Sequence, residues 1–143
     1  MTKQLLAAVT TVLALSVTSL SFADSTALSL SKSLTPNVSV TGQMNTEKFT
    51  QLMQQGFKSV IVNRPDQEQG NLVTVNQLRS IAENAHVSVI YQPVVSGKIS
   101  ATDVAEFAKY YNELPKPILM VCRSGTRSKV LFDQAKAQGL LHE

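Results

Sequence analysis

The feature that most constrains the fold is a regular alternation of helical and strand-like patterns from Asn45 onwards. Apolar residues recur at helical spacing in four segments, and three short apolar or β-branched runs lie between them. This alternation predicts an α/β domain of three layers, in which flanking helices cover a mostly parallel central sheet. The predicted helices start at Asn45 or Thr46, Thr74, Ser100 and Ser128, and the predicted strands cover residues 57–62, 87–91 and 118–121.

The last predicted strand places a cysteine where α/β proteins bind ligands. Residues 118–121 are apolar at every position, which is typical of a strand that is buried on both faces. Ligands of open parallel sheets bind beyond the carboxyl ends of the strands. Cys122 follows this strand directly and precedes a predicted helix, so we expect it to lie in a ligand site.

The first 23 residues have the layout of a secretory signal peptide. Lys3 is followed by an uncharged, mostly apolar run over residues 5–20, and Ser21-Phe22-Ala23 supplies small residues for cleavage. A retained membrane anchor is the alternative, although the run is marginal for a bilayer about 30 Å thick. We expect cleavage after Ala23 and a periplasmic or secreted protein with no stable membrane association.

The remaining chain divides into a short lead-in and one domain. Residues 24–36 are rich in Ser and Thr and are predicted to be irregular, and residues 37–143 are predicted to form the domain, with a short first strand over 37–41. The net charge of +3 comes without a Lys/Arg cluster, so we expect no nucleic-acid partner. One cysteine and two widely separated histidines give no metal-ligand spacing, and we expect neither a metal nor another cofactor.

The segment after Cys122, residues 122–127, is called the cysteine loop here, and its composition suits a reactive thiolate. Gly125 permits a tight turn, and the N–H groups at the start of the following helix point back at the loop. Arg127 adds a fixed positive charge, and amides with a guanidinium can hold a thiolate or an oxyanion. The predicted substrate-binding residues are Arg123, Ser124, Gly125, Thr126, Ser128 and Arg64. Arg64 and Asp66 follow a predicted strand, so they could face the pocket or equally pair with each other or brace the loop.

The cysteine loop resembles the active-site loop of rhodanese sulfurtransferases and, more loosely, the phosphate-binding loop of cysteine-dependent protein phosphatases. The wider pattern is similar to the phosphatase-like domain of beta-lactamase hydrolase-like proteins, a family also described as sulfur transferases. The resemblance covers roughly residues 35–140 and implies a dual-specificity-phosphatase-like fold with an open substrate class. The motifs that carry it are Gly42-Gln43, Val62-Asn63-Arg64-Pro65-Asp66 with Glu68, Tyr91-Gln92-Pro93-Val94 and the cysteine loop.

Two reactions are compatible with the cysteine loop. The cysteine-dependent phosphatases that the loop resembles have five residues between Cys and Arg and a His before the Cys. Here four residues separate Cys122 from Arg127, and Val121 takes the place of the His. Residues 93–98, where such phosphatases tend to carry an acid, contain no carboxylate. These departures favour a sulfurtransferase that moves a sulfane sulfur through a Cys122 persulfide, from a small anionic donor to a thiol acceptor.

Two alternatives to the sulfurtransferase remain, one of which uses the same nucleophile and one of which is not an enzyme. A cysteine-dependent phosphatase would act on a phosphoester through a Cys122 phosphocysteine, with Asp66 as the acid that protonates the leaving oxygen. A non-catalytic module that binds an anion or a persulfide is the second alternative. The predicted catalytic residues are therefore Cys122, Arg127 and Asp66.

Overall fold

The computed structural model describes residues 29–143 together with Ala14, so the predicted signal peptide lies, apart from Ala14, outside the described residues. Nine elements follow one another along the described chain. They are β1 (Lys32–Thr35), β2 (Val38–Thr41), α1 (Thr46–Leu52), β3 (Ser59–Val62), α2 (Val75–Asn84), β4 (Ser88–Tyr91), α3 (Ala101–Glu113), β5 (Ile118–Val121) and α4 (Thr126–Ala137).

The strands form a single sheet in the order β1-β2-β5-β3-β4. Only the edge pair β1–β2 is antiparallel, and the other three pairs are parallel. Val121 at the end of β5 lies opposite Thr41 of β2 on one side and Val62 of β3 on the other. The carboxyl ends of these three strands therefore meet at one edge of the sheet, where the cysteine loop begins.

Helices cover both faces of the sheet and enclose two apolar clusters. One cluster contains Phe49 of α1 and Leu78 of α2, and the other contains Phe107 of α3 and Leu131 of α4. All four residues of β5 are buried, as its apolar sequence predicted. The predicted three-layer α/β class with a mostly parallel sheet is confirmed. Within the described part of the chain, no helix has the length and apolar character needed to cross a bilayer.

Three of the predicted helix starts are confirmed by side-chain caps. The Asn45 side chain accepts a hydrogen bond from a backbone N–H in the first turn of α1. Thr74 with Gln77, and Ser100 with Asp103, form reciprocal capping boxes at α2 and α3. Such caps satisfy N–H groups that the helix itself leaves without partners, which is why these residues fix where each helix begins.

The fourth helix starts earlier than predicted. The sequence favoured Ser128 as the first residue, but α4 begins at Thr126 and has Gly125 as its N-cap. Gly125 has a φ of 87°, a left-handed conformation that glycine adopts without steric cost. The Ser128 hydroxyl does not cap the helix and instead donates to Asn63 Oδ1 at 2.8 Å.

The lead-in predicted to be irregular is corrected over residues 32–35, which form β1. This strand pairs with β2 in a tight hairpin, and its register is interrupted between Ser33 and Thr35. The segment has few apolar residues, so its sequence carries no strand periodicity. The backbone hydrogen bonds of the edge pairing, rather than side-chain burial, determine its structure.

Candidate active site

Cys122 continues the sheet for one residue beyond β5. Its N–H donates to the Thr41 carbonyl at 3.1 Å, and the side chain is buried with 1% of its surface exposed. The backbone N–H of Gly125 points at the sulfur, with 2.9 Å between the nitrogen and Sγ. An N–H directed at sulfur can donate to a thiolate, which is the reactive form of cysteine.

The cysteine loop packs closely against the chain segment that follows β2. Gly42 forms an isolated antiparallel bridge with Ser124. A Cβ at Gly42 would lie 2.9 Å from the Arg123 carbonyl oxygen and 3.1 Å from Ser124 Cα. The close approach of the two backbones therefore requires a glycine at position 42, and it supports the loop at Arg123 and Ser124.

A cavity of about 370 Å³ opens beside the buried sulfur. Cys122 and Arg127 both line this cavity, although only four residues separate them in the sequence. Because α4 begins at Thr126, its first turn brings Arg127 back towards the cysteine. The other lining residues are Ser96, Gly97, Ile99, Arg123, Ser124, Thr126, Val130 and Gln134.

Arg127 is buried and is oriented by acceptors from two loops. Its Nη1 donates to the Val94 carbonyl at 2.9 Å and, with a longer contact of 3.4 Å, to the Asn63 carbonyl. Its Nη2 donates to Glu68 Oε1 at 2.8 Å. Within residues 29–143, Nε is buried and has no hydrogen-bond partner. Arg127 lines the cavity, so its positive charge is available to an anion bound there.

Glu68 was assigned no role by the sequence analysis, yet it joins two buried arginines. Its Oε2 accepts from Arg64 Nε at 2.6 Å, while Oε1 accepts from Arg127. Burial acts to raise the pKa of Glu68, but the hydrogen bonds and charges of Arg64 and Arg127 outweigh it and hold the pKa below its usual value. Arg64, expected to bind substrate, is instead engaged with Glu68, Gln43 and the Gln69 carbonyl, and it does not line the cavity.

Asp66 and Ser128 also lie outside the cavity lining. Asp66 Oδ1 accepts from the backbone N–H of Val75 at 2.8 Å, at the first residue of α2. The Asp66 backbone N–H donates to the Tyr91 hydroxyl at 2.9 Å, which fixes the segment further. The structure therefore places Cys122, Arg127 and the substrate-binding candidates Arg123, Ser124 and Thr126 in the cavity lining, with the Gly125 amide directed at the sulfur. Asp66, Arg64 and Ser128 do not line the cavity.

The electrostatics of the cavity favour an anion. A buried guanidinium lies at its wall, the exposed Arg123 lies at its mouth, and the start of α4 contributes the positive end of a helix dipole. Around the sulfur, the Gly125 amide adds a further donor. In the described range 29–143, no three His, Cys, Asp or Glu side chains are grouped as a metal site would need. The arrangement combines a nucleophile with donors for oxyanions.

Comparisons with known proteins agree with this geometry. Residues 31–139 match the family described as the phosphatase-like domain of beta-lactamase hydrolase-like proteins. A beta-lactamase hydrolase-like protein from Agrobacterium fabrum is 32% identical over 95 residues, which make up 66% of this chain and 22% of that protein. The matched region thus spans about a fifth of the length of this curated relative.

Solved structures give the same fold. The crystal structure of a candidate phosphatase from Neisseria meningitidis is 30% identical, with a TM-score of 0.69, and the alignment covers 74% of this chain and 75% of that one. The kinase-associated phosphatase, solved with its catalytic cysteine changed to serine, is 13% identical with a TM-score of 0.57, over 73% of this chain and 66% of that one. This second likeness shows the fold alone, and the predicted dual-specificity-phosphatase-like fold is confirmed.

These findings overturn the prediction of a sulfurtransferase. The matched family is phosphatase-like, and the related solved structure at 30% identity is that of a candidate phosphatase. The prediction took the four residues between Cys122 and Arg127 as favouring sulfur transfer over phosphate transfer. In the structure both residues nevertheless line one cavity of about 370 Å³. The rhodanese-like reading of the cysteine loop has no support from the comparisons.

Proposed function

Because the chain belongs to the phosphatase-like domain family of beta-lactamase hydrolase-like proteins, we propose that it hydrolyses phosphate monoesters through Cys122. The sulfur would be the nucleophile, and the cysteine loop with Arg127 would hold the transferred phosphoryl group. This activity is proposed for the present domain alone, since the match covers only 22% of the length of such a relative.

One observation carries the proposal: Cys122 and the Arg127 guanidinium line one cavity, and a backbone amide is directed at the sulfur. The Gly125 nitrogen lies 2.9 Å from Sγ, and Arg127 lines the same cavity as Cys122. A phosphoryl group being transferred carries negative charge on three equatorial oxygens, and catalysis of its transfer consists mainly of positioning and charge stabilisation. Amide and guanidinium donors already in place supply both.

The reaction would proceed in two displacements. The Cys122 thiolate attacks phosphorus, so that an S–P bond forms while the P–O bond to the leaving alcohol breaks. The leaving oxygen takes a proton from water, because Glu68 is held ionised by its two arginines and Asp66 is bonded to the start of α2. Water then attacks the phosphocysteine, the S–P bond breaks, and inorganic phosphate is released with the thiolate restored.

Arg123 has a separate part in this scheme. It is exposed at the cavity mouth, where Arg127 is buried at the wall. An exposed cation at the mouth attracts a dianionic phosphate ester from solution and acts on the rate of association. The buried Arg127 acts on the bound phosphoryl group, where water is excluded and its charge is felt more strongly.

The test is hydrolysis of an aryl phosphate by the full chain, compared with the Cys122→Ser variant. We expect turnover by the wild type, none above background by the variant, and inhibition of the wild type by vanadate. Rapid acid quenching followed by mass spectrometry should find one phosphoryl group on the peptide that contains Cys122.

A control variant removes a charge from the same helix without touching the cavity. Asp133 pairs with Lys129 on the exposed face of α4, with about half of each side chain exposed, so Asp133→Asn should leave the turnover unchanged. Turnover that persists in Cys122→Ser would overturn the proposed nucleophile. Binding of tungstate by the wild type without any hydrolysis would overturn the enzyme and favour an anion-binding module.

A further inference from the structure

Glu68 lies between two arginines that are almost completely buried. The side chains of Arg64 and Arg127 are 3% and 5% exposed, and that of Glu68 is 24% exposed. Each carboxylate oxygen is used by one arginine, at 2.6 Å for Arg64 and 2.8 Å for Arg127. Buried guanidinium groups need such partners, because removal of a charge from water is costly unless it is paired.

Arg64 is held by further hydrogen bonds, and through its ion pair it holds Glu68 in place. Its Nη1 donates to Gln43 Oε1 at 2.5 Å and its Nη2 to the Gln69 carbonyl at 3.0 Å. Gln43 is held in turn, because its Nε2 donates to the Gly70 carbonyl at 3.0 Å. The chain of contacts runs from the end of β2, through the loop after β3, to Glu68 and the cavity.

Three acceptors determine the plane in which the Arg127 guanidinium lies. The Val94 and Asn63 carbonyls both accept from Nη1, and only Glu68 accepts from Nη2. Without the carboxylate, the guanidinium would keep contacts at one nitrogen alone and could rotate about them. The charge of Arg127 would then no longer be held in one orientation at the cavity wall.

We propose that Glu68 is a positioning residue for the phosphatase reaction, and this inference rests on the proposed function. Glu68 holds the Arg127 guanidinium in one orientation at the cavity wall, where its charge acts on a phosphoryl oxygen. A donor that is already oriented stabilises the developing charge without reorganisation during the reaction. Glu68 supplies no proton, because its lowered pKa keeps it ionised at neutral pH.

The test compares oxyanion affinity in Glu68→Gln and wild type. Glutamine has the shape of glutamate, but an NH2 group replaces one of the two oxygens, so one arginine then faces a donor instead of its acceptor and the charge of Glu68 is lost. We expect the Kd for tungstate, measured by calorimetry on the full chain, to rise about 10-fold or more, within the 10–100-fold range typical of residues that orient a liganding group. Asp133→Asn, which breaks the exposed pair with Lys129 on α4, should leave the Kd unchanged.

A double-mutant cycle separates positioning from general structural support. If Glu68 acts through Arg127, Glu68→Gln should change the Kd for tungstate much less in an Arg127→Ala background, so that the two effects are not additive. The Tm of each variant must lie well above the temperature of the titration, because a reversibly unfolded fraction also raises the apparent Kd. A structural brace would change the Tm and the active fraction. An unchanged Kd in Glu68→Gln with a lowered Tm would overturn the proposal.

The positioning role of Glu68 can be tested even if the protein is not a phosphatase. Tungstate affinity is measured without turnover, so a chain that hydrolyses no aryl phosphate still reports whether Glu68 orients Arg127 towards an anion. If the kinetics are measurable, kcat/KM for the aryl phosphate should fall together with tungstate affinity. Normal tungstate binding and turnover in Glu68→Gln would remove the positioning role and leave the proposed phosphatase intact, and a wild type that binds no tungstate would remove both.

Discussion

Replacement of Gly42 by alanine should disturb the cysteine loop from outside the cavity. The added Cβ would lie 2.9 Å from the Arg123 carbonyl oxygen and 3.1 Å from Ser124 Cα. Optimal contacts between heavy atoms are about 3.5–4.0 Å, so the two backbones must separate by about 0.5 Å. Both obstacles are backbone atoms, and no side-chain rotation can relieve the contact.

The magnitude follows from this displacement. Overpacking of this kind costs about 1–3 kcal/mol of unfolding free energy. The shift at Ser124 is passed to Gly125, whose N–H lies 2.9 Å from the sulfur of Cys122. A misplacement of about 1 Å in an active site can cost about 10²-fold in rate, so about 0.5 Å should lower kcat/KM about 10-fold.

Gly56→Ala is the matched control for Gly42→Ala. Gly56 has a φ of 92°, and a Cβ there would meet no atom within 4 Å, so its cost is backbone strain alone. That strain is about 1–2 kcal/mol, similar to the effect expected at Gly42. Gly56 precedes β3 at the edge of the sheet opposite the cavity. Urea unfolding should show both variants destabilised, while only Gly42→Ala loses kcat/KM on an aryl phosphate. Wild-type kcat/KM in Gly42→Ala would refute the reasoning.

Two further predictions concern carboxylates. Asp66→Asn keeps an acceptor for the Val75 N–H, so kcat on an aryl phosphate should stay within about 2-fold of the wild-type value. A fall of kcat by about 10²-fold would instead assign Asp66 as the general acid. Glu68 has a folded pKa below its ordinary value of 4.5, so it contributes stability above that pH and loses it as the pH falls through the folded pKa. Urea unfolding of wild type and Glu68→Gln should therefore differ most at neutral pH and converge in acid, and a difference independent of pH would contradict the ion pairs.

The layered fold could be predicted because most of its elements have strong local patterns. The apolar strand Ile118–Val121 has the predicted bounds, and the helices beginning after Asn45, Thr74 and Ser100 have side-chain caps that the sequence displays. The strand Lys32–Thr35 could not be predicted in this way. It lies at the edge of the sheet and has no fully buried residue, so its pairing partner determines its conformation.

The candidate site was predictable only where one short segment contains it. Cys122 and Arg127 belong to a single loop and helix turn, and both line the cavity. Glu68 contacts Arg127 across 59 positions, and no local pattern reports a pairing at that distance. Arg64 follows β3, and its position in the sequence could not decide between facing the pocket and bracing the loop; contacts with Glu68 and Gln43 set the direction of its side chain.

Cys122 and Arg127 line one cavity despite their short spacing, because Asn63 links the start of α4 to the neighbouring strands. Each polar group of this buried residue has a partner. Its backbone N–H donates to the Val121 carbonyl, and its backbone carbonyl accepts from the Val94 N–H and from Arg127. Its side-chain Nδ2 donates to the Gln92 carbonyl, and its Oδ1 accepts from the Ser128 hydroxyl. Only asparagine offers a donor and an acceptor at this length; aspartate would lose the bond to the Gln92 carbonyl, and leucine would leave the Ser128 hydroxyl buried without its acceptor. The ends of β3, β4 and β5 thus set where α4 begins, so the distance from cysteine to arginine is not governed by the length of the cysteine loop alone.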